Sequence, residues 1–192
     1  MLTLIKTKRD DILEAALTLF AERGAEATTI PMVAKQANVG AGTIYRYFDN
    51  KDVLVNDLFQ LHVQQLTETL QDQYPSHAST RQQFNHIFTQ LVTFTNKHED
   101  ALYFIKTHNH AHILNQPSQD CFQRLLELIR SFYENGQSKD EIRMLPSNAL
   151  IAIVLGAFLE YHKLVREGQL EETDELLEGI EASCWDAIRT HS

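Results

Sequence analysis

The chain contains little glycine, proline or cysteine. Seven glycines and four prolines in 192 residues are too few for an architecture of short strands and frequent turns, and no stretch alternates apolar and polar residues as a half-buried strand does. The two cysteines, Cys121 and Cys184, are too few and too far apart for a disulfide framework or a zinc site, so we expect buried free thiols. These absences favour an all-α protein.

The distribution of apolar and charged residues also predicts neither a secretory signal nor a membrane span. Residues 1–10 have no apolar core of signal-peptide length before charges appear, and the uncharged stretch 145–159 is too short to cross a bilayer. With 43% hydrophobic and 22% charged residues, the composition is that of a soluble globular protein. The sequence therefore predicts a cytoplasmic protein with no membrane partner.

The net charge of -9 argues at first against a nucleic-acid partner, because phosphate binding needs local positive potential. The charge is unevenly distributed. Residues 1–50 contain as many lysines and arginines as aspartates and glutamates, so the rest of the chain carries the whole excess of negative charge. A neutral N-terminal region on an acidic body fits a protein whose DNA contacts are confined to one end.

Helical periodicity dominates the chain and predicts about nine helices. The expected fold is all-α, with a three-helix helix-turn-helix domain in residues 1–52 and a helical domain for effector binding and dimerisation in residues 53–192. The predicted helices cover about 12–24, 30–37, 43–48, 50–73, 80–97, 100–114, 118–136, 146–166 and 172–190.

A tight turn at residues 39–42 joins two short helices, which is the arrangement of a helix-turn-helix. In the second of them, Ile44 and Phe48 are four residues apart and form the buried side. The other side chains carry hydroxyl or guanidinium groups that suit phosphate oxygens and base edges. They are Thr43, Tyr45, Arg46 and Tyr47. The alternative is that Tyr45, Tyr47 and Phe48 are core aromatics of a helical domain.

The N-terminal region resembles the DNA-binding signature of the tetracycline-repressor (TetR) family. The residues that carry the resemblance are 28–30, 33–34, 37–48 and 51–54. The resemblance covers roughly residues 8–56, and beyond them only helix count and chain length agree. It implies a role for each matched position. Thr29 would cap the second helix and contact a phosphate, Gly42, Thr43 and Tyr45 would face the major groove, Tyr47 would bind the DNA backbone, and Lys51 would anchor a phosphate.

Two positions depart from the family pattern. The family usually has glycine at position 38 and serine at position 40, where this chain has Asn38 and Gly40. Asparagine tolerates the left-handed conformation, whereas Gly40 removes a hydroxyl cap from the recognition helix.

The region after residue 57 has no nucleophile–base pair at motif spacing and no phosphate-binding glycine loop, so we predict no enzyme activity and no cofactor. Its aromatic and histidine residues instead suit a pocket for a small-molecule effector. The candidate pocket residues are Phe88, Tyr103, Phe104, His108, His112, Phe122, Phe158, Tyr161 and His162. On one helix, His108 and His112 would share a face and hydrogen-bond a ligand. A metal is the alternative, but no third metal ligand is visible, so none is predicted.

The predicted helix 146–166 is apolar nearly all round and must be buried on more than one side. With the last helix it suits a four-helix homodimer interface, which the resemblance also implies; a core helix of a monomer is the alternative. A two-fold dimer would place two recognition helices in successive major grooves of a palindromic operator. The expected interface residues are Ile151, Val154, Leu155, Phe158, Leu177, Ile180, Cys184, Trp185 and Ile188.

The resemblance thus implies a sequence-specific transcriptional regulator, in the family's commoner mode a repressor that a small-molecule effector releases from double-stranded operator DNA. Two other classes stay open at this point. One is a helical enzyme or ligand carrier with an incidental helix-turn-helix, although the Glu-x-x-His pairs of bundle metalloenzymes are absent in the right contexts. The other is a DNA-binding protein without a ligand.

Overall fold

The computed structural model describes residues 7–191, and within them the chain forms nine α-helices and, apart from one isolated bridge, no β-structure. The helices are α1 (Lys8–Ala27), α2 (Ile30–Gln36), α3 (Ala41–Tyr45), α4 (Lys51–Gln71), α5 (Thr80–Lys97), α6 (Ala101–His108), α7 (Gln116–Ser138), α8 (Ser147–Arg166) and α9 (Asp174–Ile188). The prediction of an all-α fold with about nine helices is confirmed.

Helix α6 is shorter than predicted, since it ends at His108 and not near residue 114. The segment that follows is held by the buried side chain of Asn56 in α4. Its amide nitrogen donates to the carbonyl of Ile113 at 2.9 Å, and its amide oxygen accepts from the backbone N–H of Asn115 at 2.8 Å. These bonds replace those of a continuing helix. His108 and His112 therefore do not share a helical face, and that expectation is wrong.

The recognition helix also differs from its predicted bounds. It starts at Ala41 and ends at Tyr45, so it begins two residues earlier and ends three residues earlier than expected. Asn38 has a φ of 51°, which is the left-handed conformation expected at this position. Gly40 is the N-cap and offers no side-chain hydrogen bond to the helix.

Helix α1 is interrupted at Gly24, which has a φ of 78° and a ψ of 159°. The positive φ is easily adopted only by glycine, and no side-chain atom would obstruct a Cβ there, so backbone conformation alone selects the residue. The buried Thr28 hydroxyl then donates to the carbonyl of Gly24 at 2.9 Å. The chain is thereby turned from α1 toward α2.

The first of two compact units contains the residues as far as Glu68 together with Thr93–Gln123. Its core is aromatic. The Phe104 ring stacks on Phe20 at 6.0 Å and meets Phe59 edge-on at 6.2 Å, and Phe59 meets Phe122 edge-on at 5.9 Å. Such contacts are worth about 0.5–1.5 kcal/mol each beyond the buried area.

The second unit contains Thr69–Val92 and the residues from Arg124 onward. Arg81 of α5 forms a two-pronged ion pair with the buried Glu181 of α9, and its guanidinium lies 5.6 Å from the centre of the Trp185 ring. Close contact also fixes Gly136, because a Cβ there would lie 2.7 Å from a carbon of Ile142. The ion pair and this contact join the helices of the unit to one another and to the segment after α7.

Both cysteines are free thiols. Cys184 is buried as expected, and burial raises the pKa of its thiol. Cys121 is only half-buried on α7, so the expectation of burial is wrong for this residue.

The expected dimer interface is partly inside the single chain. Val154, Phe158, Cys184 and Ile188 are buried within the second unit, where they pack against residues of their own chain. The other expected residues are half-buried: Ile151, Leu155, Leu177, Ile180 and Trp185. The exposed apolar face of α8 is formed by different residues, which are Ala152, Ile153, Gly156 and Ala157. A helix apolar on every side gave no sequence signal for which side is outward.

His62 of α4 is buried in the first unit, with its ring centre 5.6 Å from that of His98. Burial, followed by the nearby charge of His98, lowers the pKa of His62 from 6.5 to about 4. Because the folded state disfavours the protonated ring, this contribution to stability is complete above pH 6.5 and is lost as the pH falls toward 4. Its size is on the order of 3 kcal/mol.

We predict that His62→Leu flattens the dependence of the unfolding free energy on pH between 6.5 and 4, since it removes the buried titrating ring. Urea denaturation at steps of pH measures this, with His77→Gln, at an exposed loop position, as the matched control. A His62→Leu slope equal to that of the parent protein would contradict the assignment.

Candidate nucleic-acid interface

Helices α2 and α3 are joined by a turn that the backbone closes. The N–H of Val39 donates to the carbonyl of Ala34 at 2.9 Å, and the N–H of Thr43 donates to Gly40 at 2.8 Å. Ile30, Val33 and Ala34 are buried along α2, so this helix is anchored on the core of the first unit. The turn is thus fixed at both ends before α3 begins.

The two faces of α3 separate as the sequence predicts. Ile44 and Phe48 are fully buried, whereas Tyr45 is 54% exposed and Tyr47 is 42% exposed. The alternative in which both tyrosines are core aromatics is therefore excluded. Both rings carry hydroxyl groups at the surface, where they can contact a partner.

The rest of the predicted DNA contacts around α3 are solvent-accessible to different degrees. Gly42 and Arg46 are exposed, and Thr43 is half-buried. Aromatic hydroxyls, a threonine hydroxyl and a guanidinium are thus presented by α3 and by the two residues that follow it. Base contact by these residues remains a prediction.

Thr29 occupies the N-cap position of α2, but its hydroxyl makes no capping hydrogen bond. The expected cap is therefore not formed by the side chain. The Thr29 carbonyl instead accepts from the N–H groups of Met32 and Val33, at 3.0 and 3.1 Å. The exposed hydroxyl is left available for a phosphate oxygen, as the family pattern implies.

Lys51, the first residue of α4, is engaged by the protein itself. Its ammonium donates to the carbonyl of Ala25 at 2.7 Å and to the carbonyl of Thr28 at 3.2 Å. An ammonium has three donors, so one more can reach a phosphate. A substitution at Lys51 would disturb the α1–α2 turn as well as any DNA contact, which makes it a poor probe of phosphate binding.

Arg9 of α1 contacts the buried side of the helix-turn-helix. Its guanidinium lies 5.3 Å from the centre of the Phe48 ring and pairs with the carboxylate of Asp57 at 3.0 Å. One side chain of α1 therefore contacts both the segment after α3 and the first turns of α4. This contact is not predictable from the sequence, because a cation over a ring leaves no pattern along the chain.

The candidate effector residues in the first unit differ in burial and in hydrogen bonding. Phe104 and His108 are buried, and His108 is hydrogen-bonded to backbone groups of Ala25 and Phe104. Both nitrogens of His108 thus have protein partners, so the hypothesis that it binds a ligand is not supported. Tyr103 is half-buried.

His112 and Phe122 line a polar depression of about 390 Å³ in the first unit. Other residues of the loop after α6 and of the first turns of α7 complete it, among them His110 and Asp120. No three His, Cys, Asp or Glu side chains come together as metal ligands anywhere in residues 7–191.

The candidate effector residues in the second unit belong largely to its core. Phe88 meets Phe158 edge-on at 5.4 Å, and His162 lies 6.3 Å from Phe158. Tyr161 donates its hydroxyl hydrogen to Glu172, and burial together with that carboxylate raises the pKa of Tyr161 to about 12. These contacts account for Phe88, Phe158 and Tyr161 without a ligand.

A cavity of about 380 Å³ in the second unit is lined by none of the predicted residues. Its walls are mostly apolar, with amide and hydroxyl groups among them. They are formed by Leu70, Gln71, Tyr74, Ile87, Leu128, Ile129, Ser131, Phe132 and Asn135. A cavity of this size and character is typical of a small-molecule site. The apolar positions of α7 gave a helix signal in the sequence, but a gap between helices has no signature of its own.

Two family models together match residues 12–190. The model described as "Bacterial regulatory proteins, tetR family" matches residues 12–58, and that described as "Tetracyclin repressor-like, C-terminal domain" matches residues 59–190. The second match alone covers more than half of the chain.

Similar proteins are also transcriptional regulators. The uncharacterized HTH-type transcriptional regulator YhgD of Bacillus subtilis is 28% identical over 136 residues, which are 69% of this chain and 70% of that protein. The HTH-type transcriptional repressor KstR2 of Mycobacterium tuberculosis is 28% identical over 140 residues, 73% of this chain and 64% of the repressor. The fatty acid metabolism regulator protein of Bacillus subtilis is 28% identical over 131 residues, 66% of this chain and 63% of that protein.

The fold of this chain is also found in a solved structure. The structure of the ketosteroid transcriptional regulator KstR2 of Mycobacterium tuberculosis superposes with a TM-score of 0.78 over 98% of both chains, at 18% identity. The similarity of fold thus extends through both the helix-turn-helix and the C-terminal helices.

We predict that Tyr45→Ala lowers affinity for a selected DNA site by about tenfold or more, with an unchanged melting temperature because the ring is exposed. Arg46→Ala should lower affinity and reduce the slope of log affinity against log salt by about one. Fluorescence anisotropy at several salt concentrations measures both.

Two variants serve as controls for this experiment. Tyr45→Phe separates the hydroxyl from the ring, and Arg124→Ala removes one exposed positive charge from α7. Equal losses for Arg46→Ala and Arg124→Ala would show that net charge, and not α3, determines binding.

Proposed function

Because the chain belongs to the tetR family of bacterial regulatory proteins, we propose that two copies bind a palindromic operator through α3 and that a small apolar effector releases them. The observation that carries this proposal is the α3 surface. Together with the three residues after α3, this surface has a buried side fixed by Ile44 and Phe48 and an outward side that presents Tyr45, Arg46 and Tyr47. A regulator that represses transcription acts on chromosomal DNA, so we assign the protein to the cytoplasm.

The proposed dimer is supported by α8. Its 20 residues are long and apolar enough to match a membrane-spanning helix by length and composition, yet only 28% of the apolar stretch is buried in the single chain. The outward face is made of small apolar residues and Ile153, which is 38% exposed. Small side chains allow two helices to approach closely, and a second copy supplies a matching apolar face.

We predict that Gly156→Arg yields a monomer and weakens operator binding by about tenfold or more, because it places a charge in the centre of the proposed interface. The exposed position leaves the fold intact, since a Cβ at Gly156 meets no atom within 4 Å. Sedimentation velocity and anisotropy measure the two effects. Gln169→Arg adds the same charge just after α8 and should change neither; a dimeric Gly156→Arg variant would rule out this interface.

The apolar cavity of the second unit is the proposed effector site. Its volume of about 380 Å³ and its mixture of aliphatic, aromatic and amide groups suit a largely apolar molecule with a few polar atoms. Two of the similar proteins have names that refer to ketosteroids and fatty acids, which are molecules of this kind. We therefore propose a lipid-like effector.

Helix α4 is the proposed link between effector and operator. At its start, Lys51 binds the carbonyls of Ala25 and Thr28 on the way into α2, and at its end Leu70 and Gln71 line the cavity. An effector with different affinities for two positions of this helix would shift the equilibrium between them and change operator affinity by the same free energy.

We predict that Leu128→Trp, which fills the cavity, abolishes the rise in melting temperature that an apolar ligand causes in the parent protein. Dodecanoate, palmitate and a 3-ketosteroid are the probes. Leu126→Trp, a matched substitution on α7 outside the cavity wall, should retain the response. Equal responses of the two variants to every active probe would place the effector elsewhere.

A further inference from the structure

The peptide groups of Ala25 form a junction at the entry to the helix-turn-helix. Ala25 follows the break at Gly24 and is buried, so its N–H must find a partner inside the protein. That partner is Nε2 of His108 in α6, at 3.2 Å. On the other side of the residue, the Ala25 carbonyl accepts from Lys51 of α4 at 2.7 Å. One residue is therefore held by two other helices.

The tautomer of His108 follows from its partners. Nδ1 lies 2.9 Å from the carbonyl oxygen of Phe104, which can only accept. The Thr107 hydroxyl is also 2.9 Å from Nδ1, but it donates its one hydrogen to the carbonyl of Tyr103 at 2.8 Å, so Nδ1 carries the hydrogen. Nε2 is then a lone-pair acceptor, as the backbone N–H of Ala25 requires. Burial lowers the pKa of His108, which favours this neutral form.

The ring of His108 is also fixed in place by packing. Its centre lies 4.5 Å from that of Phe104 and 6.4 Å from that of Phe20. The acceptor atom is thus held by α6 on one side and by the aromatic core against α1 on the other. A side chain with both a fixed tautomer and a fixed position can define where the N–H of Ala25 lies.

We propose that His108 is a positioning residue for DNA binding, which fixes the Gly24–Ala25 turn, and through it α2 and α3, by accepting the Ala25 N–H at Nε2. Few residues separate the Gly24–Ala25 turn from the helix-turn-helix. Thr28 closes the turn onto Gly24, and α2 begins two residues later, at Ile30. A shift of α6 would move this acceptor, which makes α6 a second element, besides α4, that acts on the turn.

The test uses the full-length protein and two substitutions. His108→Phe keeps a ring of similar size but has no acceptor, and His108→Gln keeps an acceptor oxygen at a similar reach. The readouts are the amide hydrogen exchange of Ala25 measured by NMR, affinity for a DNA site selected with the parent protein, and melting temperature. Ile105→Val, a small loss of packing in buried α6, is the matched control.

We expect His108→Phe to accelerate exchange at Ala25 by about tenfold or more relative to the amide of Leu58 in the core, and to weaken operator binding by about tenfold. His108→Gln should restore both toward the parent values, and Ile105→Val should leave both unchanged. A merely structural role would lower the melting temperature in His108→Phe without the selective effect at Ala25 and without rescue by glutamine.

Unchanged exchange at Ala25 in His108→Phe, or accelerated exchange with parental operator affinity, would overturn the proposal. If His108→Phe does not fold, the nitrogen chemical shifts of His108 in the parent protein decide. A hydrogen on Nδ1 and none on Nε2 supports the proposal, and the opposite tautomer overturns it.

The inference rests on the proposed operator binding, but the two can fail separately. Exchange and tautomer are measured without DNA, so they still report on the junction if no operator is found.

Discussion

The break in α1 at Gly24 is the constraint on which the DNA-binding end of the molecule depends. A helix that stops inside a folded unit leaves buried N–H and C=O groups without helical partners, and each must be satisfied by another part of the chain. At Ala25 these partners are His108 and Lys51. The turn between α1 and α2 is therefore set by long-range contacts from α6 and α4, in addition to the left-handed glycine.

The residues predicted to contact DNA are thus different from the residues that hold the helix-turn-helix in place. Tyr45, Arg46 and Tyr47 face outward and make little contribution to the core, so they can vary with the DNA site at small cost in stability. The side chains that position them, Arg9 and Lys51 among them, are engaged with ring faces and carbonyls of the same unit. Substitutions of these positioning residues should change the affinity for all DNA sequences to a similar extent.

Much of the reading surface was predictable from local sequence, because a helix-turn-helix needs particular residue types at adjacent positions. The left-handed conformation of Asn38 and the buried pair Ile44 and Phe48 follow from such local requirements. The end of α6 was not predictable, since residues 109–114 contain no glycine or proline. The helix stops there because Asn56, more than fifty residues earlier in the chain, binds the backbone that follows.

The positions of the effector site and of the dimer face could not be predicted from the sequence, for a different reason. Aromatic density predicted the pocket, but the fold uses Phe88 and Phe158 as core. The cavity lies instead between the end of α4, α5 and α7, among mostly aliphatic residues. A cavity depends on how helices are spaced, and a sequence pattern reports only which sides are apolar. For the same reason, an apolar helix such as α8 does not reveal which of its sides faces a second copy.

The central claim, that two copies of this chain read an operator through α3, is tested most directly by selecting bound DNA from a random library and footprinting the winner. We expect two chains per fragment and two protected half-sites whose centres are about 34–36 Å apart along one face of the duplex. No enriched sequence, or a single unrepeated site occupied by one chain, would contradict it.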